Sequence, residues 1–165
     1  MTFQYPTEIP GVSNKEFLFQ AYNSQRKAKN QRALALPEFE ALAQEKMHAL
    51  GINKEFLNRS INEGFSGGEK KKNEVLQMAV FNPEFTILDE TDSGLDVDAL
   101  KTIAYGIKQF MTPDKALILI THYQRLLDYI HPDYVHIMRN GVITRSGDFS
   151  LAKDIEDKGY ETVKK

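Results

Sequence analysis

Cysteine is absent from the 165-residue sequence. Without thiols, the chain cannot form disulfide bonds, ligate a metal through thiolates or use a cysteine nucleophile. The absence fits a protein of a reducing compartment. Any cysteine-ligated cluster connected with this protein would have to lie on a partner.

Long apolar segments and an excess of one charge are also absent. No run approaches the roughly 20 apolar residues that a membrane-spanning helix needs, and Gln4, Pro6 and Glu8 make the first residues unlike a signal peptide. The 21 basic and 23 acidic residues give a formal net charge of −2, which offers nucleic acid or an anionic membrane no overall attraction. We therefore expect a cytoplasmic protein, or a stromal one if it is plastid-borne, with no nucleic-acid partner and no direct membrane insertion.

The composition, 41% hydrophobic and 27% charged, is that of one soluble globular domain or of one and a half small ones. Pro6 and Pro10 exclude a helix from the first ten residues, which are predicted to be the end of a strand followed by a loop. We place the end of that strand at residues 1–6.

Residues 7–63 have the periodicity of a small helical subdomain. Ser13 and Glu16 form a capping-box pattern at the start of a first helix, and a second helix is expected to begin near Pro37 and to end before Gly51. Its apolar residues, at helical spacing, are Phe39, Leu42, Ala43, Met47 and Leu50.

Residues 64–165 alternate between helical and strand patterns, which predicts an α/β fold with a parallel sheet. Phe85 to Leu88 and Ala116 to Ile120 are expected to be central strands. The run Arg139-Asn-Gly141 predicts a type I′ hairpin turn, and a terminal helix is expected over about Leu151 to Lys158. The helix between the strands should be covered along Val97, Leu100, Ile103, Ile107 and Phe110.

Ser66-Gly-Gly-Glu69 precedes a helical run and has two interpretations. A capping box explains Ser66 and Glu69, but it leaves Gly67 and Gly68 unexplained, although each costs about 1 kcal/mol relative to Ala in a helical turn. Glycines suit a backbone that a ligand approaches closely, and the free N–H groups of a helix N-terminus suit a phosphate.

Asp89 and Glu90 are adjacent carboxylates that follow the apolar strand Phe85 to Leu88. Buried carboxylates are costly unless they are paired or hydrogen-bonded, and a divalent metal would remove that cost. Asp89 would then bind Mg²⁺, while Glu90 could deprotonate an attacking water. The alternative is a solvated strand end followed by an Asx-type turn.

Ser93-Gly-Leu-Asp96 and His122 complete the set of polar positions near the strand ends. His122 directly follows the second apolar strand, so parallel strands would place it on the same edge of the sheet as Glu90. It could contact a γ-phosphate or the attacking water. The other histidines are interpreted as structural or merely exposed: His48, His131 and His136.

Five motifs occur in the order in which ABC ATPases carry their Q-loop, signature, Walker B, D-loop and switch histidine. They are Gln4, Ser66-Gly-Gly-Glu69, Ile87-Leu-Asp-Glu90, Ser93-Gly-Leu-Asp96 and His122. Within that superfamily the chain resembles the SufC family over nearly its whole length. The runs that carry this resemblance are Phe3-Gln-Tyr-Pro6, Glu8-Ile-Pro-Gly-Val-Ser-Asn14, Gly64-Phe-Ser-Gly-Gly-Glu-Lys-Lys71, Asp89-Glu-Thr-Asp-Ser-Gly-Leu-Asp96, Thr121-His-Tyr-Gln-Arg125 and Pro132-Asp-Tyr-Val135.

The resemblance implies part of a P-loop NTPase fold, that of an ABC ATPase nucleotide-binding domain, with a parallel sheet and a helical subdomain. It implies a dimeric enzyme that hydrolyses Mg-ATP between its subunits. Asp89 would then organise Mg²⁺ and Glu90 would be the general base. Gln4 would sense metal and water, and His122 would contact the γ-phosphate.

The same resemblance assigns other residues to the opposite subunit's nucleotide. Ser66, Gly67 and Gly68 would contact that nucleotide, and Asp96 would communicate across the dimer. The partners implied are the scaffold proteins SufB and SufD, which ATP-driven dimerisation would reshape for iron–sulfur cluster assembly. The helical subdomain, residues 7–63, would be their docking surface.

One family motif is missing. The sequence contains no G-x-x-x-x-G-K-S/T, the loop that binds the β- and γ-phosphates, and Gly67-Gly-Glu-Lys70 has the wrong spacing. We therefore expect an N-terminally truncated part of a SufC-like enzyme that does not hydrolyse ATP alone. Two alternatives stay open: a short natural product that binds the scaffold without catalysis, and the ATPase subunit of an ABC transporter. The transporter alternative is weakened by Asp89-Glu-Thr-Asp92, because transporter ATPases usually have Pro after that Glu.

Overall fold

A computed structural model describes residues 6–121 and 124–162, which fall into two compact units that separate after Thr121. The predicted strand end at residues 1–6 lies outside the described residues except for Pro6. The elements of the first unit are β1 (Ile9–Ser13), α1 (Asn14–Ala28), α2 (Leu36–Ala49), a 3-10 turn (Lys54–Asn58), β2 (Ser60–Ile61), α3 (Gly67–Phe81), β3 (Phe85–Asp89), α4 (Val97–Phe110) and β4 (Ala116–Ile120). Those of the second are α5 (Gln124–Leu127), β5 (Val135–Arg139), β6 (Val142–Gly147) and α6 (Phe149–Thr162).

Both predicted helices of the N-terminal half are present. The capping box of α1 is formed as expected: Ser13 Oγ accepts from the Glu16 backbone N–H at 3.2 Å, and Glu16 Oε2 accepts from the Ser13 N–H at 3.1 Å. Helix α2 ends at Ala49, and Gly51 follows with a positive φ of 62°. The apolar stripe of α2 is buried at Phe39, Ala43, Met47 and Leu50.

The sequence-based prediction of a loop through Pro10 was wrong, because β1 begins at Ile9 and pairs antiparallel with β2. The register jumps from Ile9↔Ile61 to Ser13↔Ser60, so the residues between Ile9 and Ser13 bulge out of the ladder. Gly11 has a φ of +76° within this bulge. A bulge tolerates proline, because a residue outside the ladder need not donate its N–H.

The predicted parallel sheet is confirmed by β3 and β4, which pair in parallel from Phe85↔Ala116 to Asp89↔Ile120. Side chains alternate between the two faces of this pair. Leu88 is fully buried on one face, whereas Phe85, Ile118 and Ile120 are about half exposed on the other.

Helix α4 lies between these strands in the sequence and carries the expected buried stripe at Leu100, Ile103 and Ile107. The prediction for Val97 was wrong: it is 52% exposed, because it occupies the first helical position, directly after the cap residue Asp96.

The second unit contains the predicted hairpin. Strands β5 and β6 are antiparallel, and Asn140 and Gly141 in the turn have φ angles of 49° and 77°, as the Asn-Gly pair indicated. The predicted terminal helix corresponds to α6, which is interrupted at Gly159. His131 stacks on Phe149 within this unit.

Candidate functional site

The N-terminus of α3 is capped by Ser66. Ser66 Oγ accepts from the Glu69 backbone N–H at 3.2 Å, and Glu69 Oε2 accepts from the Ser66 N–H at 2.9 Å. The capping-box interpretation is therefore confirmed. The hydrogen bond from the Ser66 N–H and a further one from Arg59 hold the pKa of Glu69 below its usual value.

Gly67 and Gly68 lie in the first turn of α3 without needing glycine for their backbone conformation. A Cβ on Gly67 would have no neighbour within 4 Å among the described residues, and one on Gly68 would make ordinary contacts with Leu95 at 3.9 Å and Ala99 at 4.0 Å. Ser66 and Gly67 are exposed. The fold thus leaves an open, glycine-lined surface at the positive end of a helix dipole, which suits the approach of a phosphate.

Arg59 was not predicted as a site residue from the sequence, although its side chain contacts several residues around this turn. Its guanidinium bonds Glu69 Oε1 at 2.5 Å and the Gly64 carbonyl oxygen at 3.3 Å, and it lies 4.0 Å from the ring centroid of Phe65. An arginine at an isolated position before the motif has no sequence signal of its own. Its role is visible only through these contacts.

Two lysines near the start of α3 have partners within the chain. Lys70 Nζ bonds Glu8 Oε1 at 2.6 Å, and Lys71 forms a buried ion pair with Glu74 at 3.3 Å. These carboxylates explain how cations are accommodated near a helix N-terminus, where the dipole disfavours them.

Strand β3 delivers Asp89 and Glu90 to the end of the parallel pair. Both residues are half-buried, and the Glu90 N–H donates to the Ile120 carbonyl oxygen at 2.9 Å. The Glu90 carbonyl oxygen accepts from the Ser93 N–H at 3.1 Å, which closes a tight turn. Glu90 has a φ of 45°, a left-handed conformation that is strained for a residue other than glycine.

A second acidic residue of this turn, Asp92, was missed as a site candidate. Asp92 is 6% exposed, and its Oδ2 accepts from Thr121 Oγ1 at 2.6 Å. The signal was visible as a third carboxylate in the run Asp89-Glu-Thr-Asp92. The burial of Asp92 and its hydrogen bond with Thr121 depend on the tertiary fold, so the run of carboxylates in the sequence could not reveal them.

Asp96 is exposed and caps α4, with its Oδ1 accepting from the Ala99 N–H at 2.7 Å. This contact gives Asp96 a structural role within its own chain. Its expected role across a dimer stays a prediction. Because Gly68 lies close to Leu95 and Ala99, the Asp96 segment is adjacent to the N-terminus of α3.

Gln4 and His122 lie outside the described residues, so their expected roles stay predictions. Of the other site candidates, the structure groups Asp89 and Glu90 at the strand ends. It groups Ser66, Gly67 and Gly68 with the Asp96 segment, as a second cluster. The roles that the sequence assigned to these residues are likewise untested predictions.

The donor chemistry at the strand end fits Mg²⁺. Among residues 6–121 and 124–162, no group of three or more His, Asp or Glu side chains could enclose a metal ion. Mg²⁺ is usually bound through one or two carboxylates, with waters and substrate phosphates completing the shell, rather than by a protein cage. Asp89 is a carboxylate in such a position. Within the same described ranges, no helix is long and apolar enough to cross a membrane.

No family model matches the chain. Among curated proteins, it is 56% identical over 164 residues to the probable ATP-dependent transporter ycf16 of Trieres chinensis, covering 99% of this chain and 65% of that protein. It is 53% identical over 160 residues to the probable ATP-dependent transporter SufC of Escherichia coli (97% and 64%), and 50% identical over 163 residues to the chloroplastic ABC transporter I family member 6 of Arabidopsis thaliana (99% and 48%). The chain therefore spans less than two thirds of the length of these relatives.

Solved structures of similar shape are ABC cassettes. The dimer of a bacterial ABC transporter cassette matches with a TM-score of 0.72 and 19% identity, over 89% of this chain and 61% of that one. A post-hydrolysis dimer of an ATP-binding cassette, bound to ADP and inorganic phosphate, matches with the same values. These likenesses establish that the fold is that of an ABC ATPase cassette.

Proposed function

The chain is a SufC-like ABC ATPase sequence, and from that premise we propose that it supplies most of the ATP-hydrolysing subunit of an iron–sulfur cluster assembly machine. The complete subunit would hydrolyse Mg-ATP at a dimer interface and thereby remodel a scaffold of SufB and SufD type. ATP and Mg²⁺ are the proposed cofactors of that complete enzyme.

The observation that carries the proposal is the strained carboxylate at the end of β3. Glu90 keeps a left-handed φ of 45° in a turn where glycine would be relaxed. Such strain costs of order 1–3 kcal/mol and is typical of functional sites. A carboxylate fixed at the carboxyl end of a parallel strand suits a general base that faces a ligand at that edge.

The neighbouring residues would divide the remaining chemistry. Asp89 would hold Mg²⁺ together with phosphate oxygens and waters. When bound, the metal would neutralise charge that develops on the phosphates. Glu90 would accept a proton from the attacking water. Gln4 would contact metal and water, and His122 would donate a hydrogen bond to the γ-phosphate.

The first turn of α3 would serve the nucleotide of the opposite subunit. Ser66 Oγ accepts a hydrogen bond within the capping box, and its hydroxyl proton, which bonds the Glu69 carboxylate, would turn to donate to a phosphate oxygen. Gly67 and Gly68 would let that phosphate approach the helix N–H groups. Asp96, beside this turn, would relay dimer formation between the subunits. Self-association on ATP binding is part of this proposal.

The helical segment, residues 7–63, would be the docking surface for the scaffold. It carries an open depression of about 230 Å³, lined by charges of both signs that include Lys15, Glu40, Lys54 and Glu55. Mixed charges at a contact surface favour specific recognition of a complementary partner. We propose the plastid stroma as the compartment, since the Arabidopsis relative is described as chloroplastic, with the cytoplasm as the alternative.

The test uses a completed protein, in which residues 1–165 are joined to the part of the Trieres chinensis relative that this chain does not match. We expect Mg-dependent ATP hydrolysis by this protein, and a loss of about 10²- to 10⁴-fold in kcat in Glu90→Gln, because the general base is removed. Glu84→Gln is the matched control: it flanks the opposite end of β3, its carboxylate is 81% exposed, and it pairs only with Lys29 among the contacts of the described residues. Equal turnover by the unmodified and Glu90→Gln proteins would contradict the proposal.

A transporter ATPase is the second candidate, favoured by the word transporter in the names of the relatives. Such a subunit would have to work with a separate membrane protein. Affinity purification of the completed protein, from solubilised membranes and from the soluble fraction, distinguishes the two candidate functions. Recovery of a permease would favour the transporter, and recovery of SufB- or SufD-like proteins from the soluble fraction would favour the scaffold.

A further inference from the structure

The ends of the two parallel strands are joined by a side-chain hydrogen bond that none of the assigned motifs explains. Thr121 Oγ1 donates to Asp92 Oδ2 at 2.6 Å across 29 residues of sequence. Asp92 lies in the turn that begins at Glu90, and Thr121 directly follows β4. The bond thus connects the turn that follows Asp89 with the C-terminal end of β4.

The bond has the geometry of a strong interaction. A length of 2.6 Å lies in the range of hydroxyl-to-carboxylate hydrogen bonds, which are about twice as strong as neutral ones. Asp92 is 6% exposed, and its other oxygen, Oδ1, has no hydrogen-bond partner among the described residues. A carboxylate buried with one unsatisfied oxygen is costly, and such groups in native proteins call for a specific explanation.

A second hydrogen bond joins the main chains at the same ends of β3 and β4. The Glu90 N–H donates to the Ile120 carbonyl oxygen at 2.9 Å, one residue before Thr121. One main-chain hydrogen bond and one side-chain hydrogen bond therefore hold the C-terminal end of β4 against the turn that contains Glu90.

We propose that Asp92 is a positioning residue, which binds Thr121 and thereby holds the turn that contains Glu90 at the C-terminal end of β4. The inference rests on the proposed ATPase function. Asp92 itself would touch neither substrate nor metal. Small misplacements of reacting groups are expensive in catalysis, because a shift of about 1 Å can lower a rate by about 10²-fold.

The test compares kcat, the KM for ATP and thermal stability in the completed protein. We expect Thr121→Val and Asp92→Ala each to lower kcat by about ten-fold or more while leaving the KM for ATP unchanged, since nucleotide binding does not depend on this bond. Thr121→Ser keeps the hydroxyl and should restore kcat. The double variant should be no slower than the slower single variant, because both changes remove the same bond.

Thr112→Val is the matched control, since Thr112 Oγ1 makes a comparable bond to Asp114 Oδ1 at 2.5 Å in an exposed loop. It should leave kcat unchanged. An unchanged kcat in Thr121→Val would overturn the inference, as would failure of Thr121→Ser to restore it or a loss that merely follows the fall in Tm.

Hydrogen–deuterium exchange separates this inference from the proposed function. Amide exchange in β4 should accelerate in Thr121→Val and Asp92→Ala but not in Thr112→Val, whether or not ATP is hydrolysed. Unchanged exchange would overturn the inference alone. Absence of ATP hydrolysis in the unmodified completed protein, with the exchange effect intact, would count against the ATPase function and leave the bond itself established.

Discussion

Ser66 combines a structural and a proposed functional use of one hydroxyl group. Its oxygen accepts from the Glu69 N–H, which satisfies a donor that every helix N-terminus leaves unpaired. Its proton bonds the Glu69 carboxylate in this structure and, in the proposed function, would turn outward to a phosphate oxygen. The same chain holds a matched reference, because Ser13 makes an equivalent capping box at the start of α1, where no ligand is expected.

Ser66→Ala and Ser13→Ala should therefore have equal effects on stability and unequal effects on function. We expect each to lower the free energy of unfolding by about 1 kcal/mol, the usual cost of losing a cap. Only Ser66→Ala should weaken ATP-driven association, measured by size-exclusion chromatography of the completed Glu90→Gln protein, in which bound ATP would persist. Equal association by both variants would argue that Ser66 is only a cap.

Helix α4 approaches α3 and the end of α2 most closely at Gly106, where an added side-chain carbon would force neighbouring side chains to move. An added Cβ at Gly106 would lie 2.4 Å from Leu50 Cδ2 and 3.0 Å from Val75 Cγ1. All three residues are buried. The absence of a side chain at Gly106 therefore permits this close packing of the helices.

Gly106→Ala should destabilise the protein by about 1–3 kcal/mol, because overpacking outweighs the roughly 1 kcal/mol that alanine gains in helix propensity. Gly68→Ala is the contrasting change. Its Cβ would meet Leu95 and Ala99 at ordinary distances, so stability should be unchanged or slightly higher. Chemical denaturation measures both, and a stabilising Gly106→Ala would contradict the packing described.

The start of α2 predicts a specific acid sensitivity. The Arg32 guanidinium and the Ala35 N–H hydrogen-bond Glu38 and lower the pKa of its carboxyl to about 2. A carboxyl whose pKa is lowered by folding stabilises the protein above its unfolded pKa and loses that contribution as pH falls through its folded pKa. Stability should therefore decline between about pH 4.5 and about pH 2.

Glu38→Gln removes the titrating group, so the variant should lose less stability than the unmodified protein over that pH window. Glu45→Gln, a surface carboxylate within α2 that caps nothing, should behave like the unmodified protein. Thermal midpoints across the window measure the difference. Identical acid profiles for Glu38→Gln and the unmodified protein would show that this carboxylate does not stabilise the fold.

Elements with strong local signals could be predicted from the sequence. The capping boxes at Ser13 and Ser66, the apolar stripe of α2, the parallel pair β3 and β4 and the Asn-Gly turn were all correct. Strand β2 has only two residues, and β1 contains proline, so neither has a recognisable period. Their pairing depends on a tertiary contact and on a bulge.

The candidate site divides in the same way. Asp89 and Glu90 were predicted as site candidates because two carboxylates after an apolar run are conspicuous, and their roles stay predictions. Arg59 and Thr121 are single residues, and their partners Glu69 and Asp92 lie 10 and 29 residues away. Such contacts arise only from the fold, so residue patterns could not reveal them.

At the scale of the whole molecule, the two clusters would serve two different catalytic sites. Asp89 and Glu90 would serve the nucleotide bound to their own subunit, whereas Ser66 and Gly67 would serve the partner's. In a twofold-symmetric dimer each composite site then takes one cluster from each subunit. Two subunits with different defects could therefore form one intact site between them.

Mixing Glu90→Gln and Gly67→Asp subunits of the completed protein tests this assignment most directly. Gly67→Asp should retain the fold, because its Cβ has open space among the described residues and an acidic residue suits the first turn of a helix, but it should repel the partner's phosphate. Each variant alone should be nearly inactive. Mixing should restore ATP turnover in proportion to the mixed dimers formed, whereas no recovery despite proven subunit exchange would contradict the assignment of the two clusters to opposite sites.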